Sequence, residues 1–350
     1  MEADDEMSGR LSVRYAFVYN IRKNGRAGAK QEVHFCMSKI TIIGAGQVGA
    51  TIAYTLAVTG ATSEIVMIDI NREKAIGVAM DIYQGTPFCH PCLIYEGSYA
   101  DAVGSDIVIL TSGLPRKAGQ SRLELAQVNT DITKQIIPQI VRYAPEAHYI
   151  IVSNPVDILT YVFNKVSGLP ESHIIGSGTV LDTSRLRVRL SECCSINQQN
   201  VHAYVLGEHG DSSFIPWSVT SISNIPLDDW NKLMVNPATH YPELDHEEIE
   251  NYVRTSGGRI IAAKGATFNA VSVTVCYIVK ALLSSIDTTM TVSTMLNGEY
   301  GIDDVCMSVL NVVNNQGAHS KLLLPLTDNE VKQLHHSAEC LKNVIKSIKI

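Results

Sequence analysis

Gly44-Ala45-Gly46-Gln47-Val48-Gly49 is the stretch that decides the fold. An apolar run at residues 39–43 predicts a strand directly before it, and a helical pattern at 50–59 follows it at once. A Gly-x-Gly-x-x-Gly pattern alone is weak evidence, because glycines also mark ordinary turns. Here Asp69 ends the next predicted strand, 20 residues after Gly49. Strand, glycine turn, helix, strand and acid in this order predict a βαβ unit of the Rossmann type.

The same unit predicts a binding site for NAD. Gly44 permits a tight turn, Gly46 lets the backbone approach a pyrophosphate, and Gly49 allows the helix to pack closely on the strand. The helix N-terminus offers free N–H groups to phosphates. A carboxylate at Asp69 can accept hydrogen bonds from both ribose hydroxyls and repels the 2′-phosphate of NADP. The predicted cofactor residues of this unit are Gly44, Gly46, Gln47, Val48, Gly49 and Asp69.

The remaining pattern predicts an α/β protein with two domains. Short apolar runs alternate with helical stretches up to residue 152, as in a doubly wound parallel sheet, so residues 37–154 are expected to form a Rossmann domain. Longer helical patterns at 180–194, 246–285 (with an interruption) and 328–348, with strands at 201–206 and 289–296, predict a mixed α/β substrate domain at 155–350. Residues 1–36 show no period and are expected to be a disordered extension, either a subunit arm or translated sequence upstream of a start at Met37.

Composition excludes several classes of partner. The 350 residues carry a net charge of -7, and nucleic-acid binding depends on clustered Lys and Arg. No apolar run approaches the ~20 residues of a membrane span. The first six residues include four acids instead of the basic start of a secretory signal. These features favour a small-molecule substrate, neither nucleic acid nor membrane as partner, and the cytoplasm.

Eight cysteines are scattered along the chain, which is typical of thiols in a reducing compartment. Cys89-His90-Pro91-Cys92 has the C-x-x-C spacing of a redox or zinc site. No second pair, suitably spaced His or helix signal accompanies it. We therefore interpret it as two unpaired thiols in a connection and predict no metal site.

Three segments supply candidates for catalysis. His209 lies between glycines at the end of a predicted strand, where a loop side chain can reach a cleft. Asp182 and Arg185 are three positions apart, so a helix places them on one face. The loop at 112–122 carries three cations. Alone, the histidine is more often structural and the acid-base pair more often a surface ion pair, and the basic loop is as often merely solvated as functional. Together they match what hydride transfer from a hydroxy acid requires, which is a base, a carboxylate to orient it, and cations for an anionic substrate.

From Met37 to about Lys346 the chain resembles the L-lactate and malate dehydrogenase family. The resemblance rests on five motifs in family order: GAGQVGA at 44–50, the loop that ends at Arg122, SNPVD at 153–157, GSGTVLDTSR at 176–185 and GEHGDSS at 207–213. It implies an NAD-dependent 2-hydroxyacid dehydrogenase with the Rossmann fold.

The resemblance also implies a role for each matching residue. His209 would donate and accept the proton, with its ring oriented by Asp182. Arg185 would hold the substrate carboxylate through two parallel hydrogen bonds. Arg122 would polarise the C2 carbonyl when its loop closes. Asn154 would hydrogen-bond near the nicotinamide ribose and the substrate oxygen.

The substrate is either pyruvate or oxaloacetate. Arg116 stands at the loop position that separates the two branches of the family, and its charge would suit the second carboxylate of oxaloacetate. Glu208, the segment 177–179 and the pocket-lining Thr267 resemble the lactate branch. We favour the interconversion of pyruvate and L-lactate, with malate dehydrogenase as the alternative and a non-catalytic NAD-binding protein as a remote one.

Arg187 and His202 suggest regulation. Arg187 is two residues after Arg185, so it points about 200° away from the catalytic face of its helix. Alone, the pair would be a surface cation and a strand histidine. Both positions match those at which bacterial lactate dehydrogenases bind fructose 1,6-bisphosphate between subunits. The resemblance therefore implies a homotetramer activated by that effector.

Overall fold

Strands and helices alternate through the first half of the computed structural model, which describes residues 38–114, 122–236, 238, 241 and 243–350. The predicted extension at 1–36 lies outside these residues. The strands are β1 (Lys39–Ile43), β2 (Glu64–Ile68), β3 (Leu93–Glu96), β4 (Ile107–Leu110), β5 (His148–Ile151), β6 (Ile174–Gly176), β7 (Val201–His202), β8 (Ser221–Ile222), β9 (Ile225–Pro226), β10 (Thr288–Met290), β11 (Ser293–Asn297), β12 (Asp303–Ser308), β13 (Asn311–Asn314) and β14 (Gly317–Lys321). The helices are α1 (Gln47–Val58), α2 (Arg72–Gly85), α3 (Arg122–Tyr143), α4 (Val156–Ser167), α5 (Val180–Cys194), α6 (Leu227–Leu233), α7 (His246–Lys264), α8 (Asn269–Leu282) and α9 (Asp328–Ser347).

The main sheet has eight strands in the order β12-β11-β6-β5-β4-β1-β2-β3. The first six strands of the chain pair in parallel, while β11 is antiparallel to both β6 and β12. The order 3-2-1-4-5-6 of the parallel strands is that of a Rossmann sheet, whose direction of winding reverses between β1 and β4. The predicted α/β class is confirmed.

The sheet is covered on both faces because its strands are apolar on both sides. All five residues of β1 are buried. Ile40 and Ile42 contribute to one core cluster, with residues of α1 and α8, and Ile43 contributes to the other, with residues of α3 and α4. A third cluster lies between α5, α7 and the small sheet of β7, β8 and β9. No helix in the described part of the chain combines the length and apolar character that a membrane span needs.

Two predicted strands differ from the observed ones. The strand expected at 201–206 ends at His202, because the hydroxyls of Thr179, just before α5, and of Thr183, in α5, bond the backbone of Val205 where a neighbouring strand would. Thr183 Oγ1 accepts the Val205 N–H at 2.9 Å, and Thr179 Oγ1 donates to the Val205 carbonyl at 2.5 Å. The strand expected at 289–296 is two strands, β10 and β11, in different sheets.

Several elements were not predicted at all. β3, α4 and β6 continue the Rossmann pattern through short segments, and β12, β13 and β14 add antiparallel strands. The helical region at 246–285, by contrast, was predicted with an interruption, and it is two helices, α7 and α8, separated after Gly265, whose φ of 86° ends α7. The eight-stranded sheet therefore takes three strands, β6, β11 and β12, from beyond residue 154.

Candidate active site

The glycine turn after β1 is built so that only glycine fits at two positions. Gly44 has a φ of 112°, and a Cβ there would lie 2.6 Å from Thr111 Oγ1. A Cβ on Gly49 would overlap the carbonyl oxygen of Gly44. Gly46, by contrast, faces open space. The turn is therefore closed towards the sheet and open at the position where a pyrophosphate would approach.

The first turn of α1, which begins at Gln47 and includes Val48, has backbone N–H groups that can bind an anion. Gly46 precedes it as N-cap, no side chain caps its N–H groups, and it contains no acid. Uncapped N–H groups and the positive end of the helix dipole favour phosphate. These features fit the pyrophosphate of NAD.

Asp69, at the end of β2, is held beside this turn. Its Oδ2 accepts the N–H of Ala45 at 2.6 Å, and its Oδ1 accepts the N–H of Asn71 at 2.8 Å. The side chain is only half-buried. A fixed and accessible carboxylate at this place suits ribose hydroxyls, so the residues present fit the adenosine half of NAD.

A buried carboxylate joins the two charged groups predicted for catalysis. Asp182 lies in the first turn of α5, and its Oδ2 is 2.6 Å from Nδ1 of His209. Its Oδ1 accepts a hydrogen bond from Arg185 Nη1 at 2.7 Å. α7 passes the other side of Arg185 at Gly257, where a Cβ would lie 3.5 Å from Arg185 Nη2. The structure thus brings together the predicted base, its orienting acid and the predicted carboxylate-binding cation.

The charges of this cluster stabilise one another. The negative charge of Asp182 raises the pKa of His209 to about 9, against the opposing effect of burial. Burial works to raise the pKa of Asp182, but the positive charges of His209 and Arg185 outweigh it and lower that pKa below its usual value. About a quarter of the His209 side chain (27%) is exposed, and Nε2 has no partner among the described residues. His209 is therefore a protonated imidazole with one free N–H at neutral pH.

Asp157 is a site residue that sequence reasoning quoted in a motif but gave no role. It lies in the first turn of α4, and its Oδ2 accepts the backbone N–H of His209 at 2.7 Å. Burial raises the pKa of Asp157 to about 6, although the Ser293 hydroxyl and the His209 N–H oppose the shift. Oδ1 lacks a well-formed hydrogen bond within the described residues. A buried acid therefore holds the backbone of the turn that carries His209.

Asn129, on α3, is a second residue that was missed. Its side-chain amide donates to the carbonyl of Asn154 at 2.7 Å and to the carbonyl of Leu114 at 3.2 Å, and its Oδ1 accepts the Leu114 N–H at 2.9 Å. Asn129 is buried, whereas Asn154 is exposed. Asn129 therefore ties the start of the predicted closing loop to the segment that carries Asn154.

In the described part of the chain, the remaining predicted site residues form no hydrogen bond to the cluster of Asp182, Arg185 and His209. Thr267 is half-buried in the segment between α7 and α8. Arg187 and His202 are half-buried on α5 and β7, and Nε of Arg187 is buried without a partner in the described part of the chain. Arg116 and the side chain of Arg122 lie outside the described residues.

The two cysteines of the C-x-x-C segment differ in their surroundings. Cys89 is exposed and Cys92 is buried, and both are free thiols. Burial raises the pKa of Cys92 to about 12, so its thiolate is disfavoured at neutral pH. The interpretation as two thiols without a redox role stays a prediction. No cluster of metal-binding side chains occurs among the residues that the structure describes.

A Rossmann sheet with an open glycine turn and a histidine-carboxylate pair define an NAD-dependent dehydrogenase. Two domains of known proteins match the sequence: the lactate/malate dehydrogenase NAD binding domain at residues 38–176 and the lactate/malate dehydrogenase alpha/beta C-terminal domain at residues 179–349. The chain belongs to the lactate/malate dehydrogenase family.

Individual relatives cover nearly the whole chain. The L-lactate dehydrogenase of Thermoanaerobacterium saccharolyticum is 45% identical over 315 residues, which are 90% of this chain and 100% of the relative. That of Acetivibrio thermocellus is 44% identical over 316 residues, 90% of this chain and 98% of the relative. Among solved structures, the minor L-lactate dehydrogenase of Enterococcus mundtii in a ligand-bound form superimposes with a TM-score of 0.85 at 34% identity, covering 90% of this chain and 99% of the other.

Proposed function

We propose that this protein is an NAD-dependent L-lactate dehydrogenase that interconverts pyruvate and L-lactate. The observation that carries the proposal is the cluster in which Asp182 bonds both His209 and Arg185. Its relatives at 44–45% identity bear that name. When bound, NADH supplies the hydride that reduces C2 of the keto acid.

The residues of the chain perform the remaining tasks. Arg185 pairs with the substrate carboxylate and thereby orients C2. His209 donates its Nε2 proton to the C2 oxygen as the hydride arrives, and takes a proton from the hydroxyl in the reverse direction. Asp182 keeps His209 protonated before the transfer and holds the ring in place. Arg122 polarises the carbonyl, and Asn154 bonds near the nicotinamide ribose and the same oxygen. Thr267 lines the pocket for the C3 group.

Oxaloacetate is the second candidate substrate because of the cation at Arg116. The deciding experiment compares kcat/KM for pyruvate and oxaloacetate with NADH. We expect pyruvate to have the higher value, with measurable oxaloacetate activity. A value for oxaloacetate about tenfold above that for pyruvate would make the protein a malate dehydrogenase. Arg116→Gln is expected to lower oxaloacetate use by about tenfold or more and to leave pyruvate use largely unchanged.

We also propose that the protein is a homotetramer in the cytoplasm. Tyr54 and Val58 on α1 and Val273 and Tyr277 on α8 are exposed apolar side chains, one turn apart on each helix. Such a two-helix patch is typical of a subunit contact. The described cysteines are all free thiols, as expected in a reducing compartment. Sedimentation equilibrium tests the assembly, and a monomer or a dimer would contradict it.

Fructose 1,6-bisphosphate is the proposed activator, and Arg187 and His202 are its proposed ligands. Nε of Arg187 is buried and has no partner among the described residues, which supports the assignment because a buried guanidinium nitrogen requires an acceptor. We expect the effector to lower the apparent KM for pyruvate. A double variant, Arg187→Gln with His202→Gln, is expected to lose the response, while Arg142→Gln on exposed α3 surface retains it. Superimposable pyruvate titrations of the native protein with and without effector would refute the site.

A further inference from the structure

The C-terminal helix α9 contacts the catalytic turn at 207–213 through one buried hydroxyl. Ser337 is fully buried, and its Oγ accepts the backbone N–H of Glu208 at 2.7 Å. The same Oγ lies 3.0 Å from Oγ of Ser212. Glu208 directly precedes His209, so Ser337 holds the peptide unit next to the proposed acid-base residue.

The protons of this network can be assigned. Ser212 donates its hydroxyl proton to Oε2 of Glu208 at 2.5 Å. Ser337 must then donate its own proton to Ser212. Ser337 therefore acts as acceptor and donor at once, and the ring Glu208 N–H, Ser337, Ser212, Glu208 carboxylate is closed. Removing the Ser337 hydroxyl breaks two of its bonds.

The backbone of the turn is shaped for this contact. Gly207 has a φ of 93°, and a Cβ there would lie 2.7 Å from Oγ of Ser337. Gly207 also exchanges two backbone hydrogen bonds with Ser308 of β12, at 2.9 and 3.0 Å. The close approach of α9 thus depends on the absence of a side chain at residue 207.

Two kinds of contact hold the turn against α9. Phe214, at the end of the turn, packs in one core cluster with Leu334 and Ala338 of that helix. An open depression lined by Ser212, Lys332 and His336 lies beside this contact. Ser337 adds the hydrogen bonds at the peptide unit directly before His209.

We propose that Ser337 is a positioning residue for catalysis, which sets the place of His209 by binding the peptide unit before it and the Ser212 side chain after it. The proposal rests on the proposed role of His209. Displacement of a catalytic group by about 1 Å can cost on the order of a hundredfold in rate. We expect the effect of Ser337 to fall on kcat and on the titration of His209, because the described bonds of its hydroxyl are to Glu208 and Ser212 on either side of His209.

The test compares Ser337→Ala with Ser347→Ala, a matched control on the exposed end of the same helix, whose hydroxyl donates to the Asn343 carbonyl at 2.7 Å. For Ser337→Ala we expect kcat to fall about tenfold or more, with unchanged NADH affinity, and the midpoint of the pH profile of kcat/KM to move down. Ser347→Ala is expected to behave as the native protein. A Ser337→Ala kcat within about twofold of native, or a lower kcat with an unshifted pH profile, would overturn the proposal.

Ser212→Ala provides a second variant that leaves the Glu208 N–H paired with Ser337. We expect a smaller loss in kcat, and a double variant no worse than Ser337→Ala alone, because both changes break one network. Additive losses would contradict the network. If Ser337→Ala does not fold, Ser212→Ala alone decides the matter, because a kcat within about twofold of native would then overturn the network. Each assay uses whichever keto acid the native protein reduces. If the native protein does not reduce pyruvate, the proposed substrate is wrong. If Ser337→Ala has native activity, the proposed role of Ser337 is wrong.

Discussion

Asp157 accepts the backbone N–H of His209 at 2.7 Å from a position that is almost completely buried. Burial raises the pKa of this carboxyl to about 6, so the residue is charged at neutral pH at a cost in stability. Its negative charge also helps to raise the pKa of His209. The two residues are thus linked both through the backbone and through their charges.

We expect Asp157→Asn to stabilise the protein more at pH 8 than at pH 5. A carboxyl whose pKa is raised on folding stabilises the folded state only while protonated, and this contribution is lost between about pH 4 and pH 6. Asparagine keeps an oxygen for the His209 N–H and removes the buried charge. The gain at pH 8 should exceed that at pH 5 by roughly 1 kcal/mol in the free energy of unfolding. Urea titrations at the two pH values measure this free energy, and the variant Asp81→Asn, at an exposed position, is the control. Equal gains at both pH values would show that the buried charge of Asp157 is not the reason.

The pH dependence of the reaction is expected to follow His209. Reduction of pyruvate requires the protonated ring, so kcat/KM should hold at neutral pH and fall as the pH rises through about 9. Oxidation of lactate requires the neutral ring and should rise over the same range. Asp182→Asn removes the charge that raises the pKa, so the midpoint should fall by about one unit or more. An unmoved midpoint in Asp182→Asn would exclude this role for Asp182.

His209→Gln tests the acid-base role directly. Glutamine can hydrogen-bond to the substrate oxygen but cannot supply its proton. We expect kcat to fall by a factor of about a hundred or more, while NADH binds with near-native affinity in a fluorescence titration. Near-native turnover would remove His209 from its role.

Cofactor choice is expected to depend on Asp69. Asp69→Asn retains one oxygen for the Ala45 N–H and removes the charge that would repel a 2′-phosphate. The ratio of kcat/KM for NADH to that for NADPH should fall by about tenfold or more. If the ratio is unchanged while the protein is folded, some residue other than Asp69 excludes the phosphate.

We expect the hydrogen bonds of the Asn129 side chain to contribute more to stability than its packing does. Asn129→Asp is isosteric but loses the two donated hydrogen bonds to Leu114 and Asn154 and places a charge among carbonyl oxygens. We expect a loss of about 2 kcal/mol or more in the free energy of unfolding and a raised KM for pyruvate. Asn129→Ala should cost less. A larger loss for the alanine variant would show that packing, not hydrogen bonding, is the contribution of Asn129.

Sequence reasoning identified the parts of the site that have a local signal. The glycine turn is recognisable from its spacing, and the three-residue separation of Asp182 and Arg185 correctly placed them together on one helix face. Asp157, Asn129 and Ser337 carry no such signal, because each acts on a partner 15 to 129 residues away. Spacing along a chain does not encode those distances. The short β6 and the polar β12 were missed for a similar reason, since their pairing partners, not their own pattern, make them strands.

The continuity of the eight-stranded sheet limits how the molecule can move. Ser293 of β11 pairs with Gly176 of β6, and one core cluster contains residues from both halves of the chain, among them Ile43 and Leu334. Rotating one half as a rigid body about a hinge would shear this shared core. We therefore expect any closure of the site during turnover to be a local displacement of segments and not a rotation of one half. The signal of a spectroscopic probe on the sheet should not change when substrate binds, whereas the signal of a probe next to Leu114 should change.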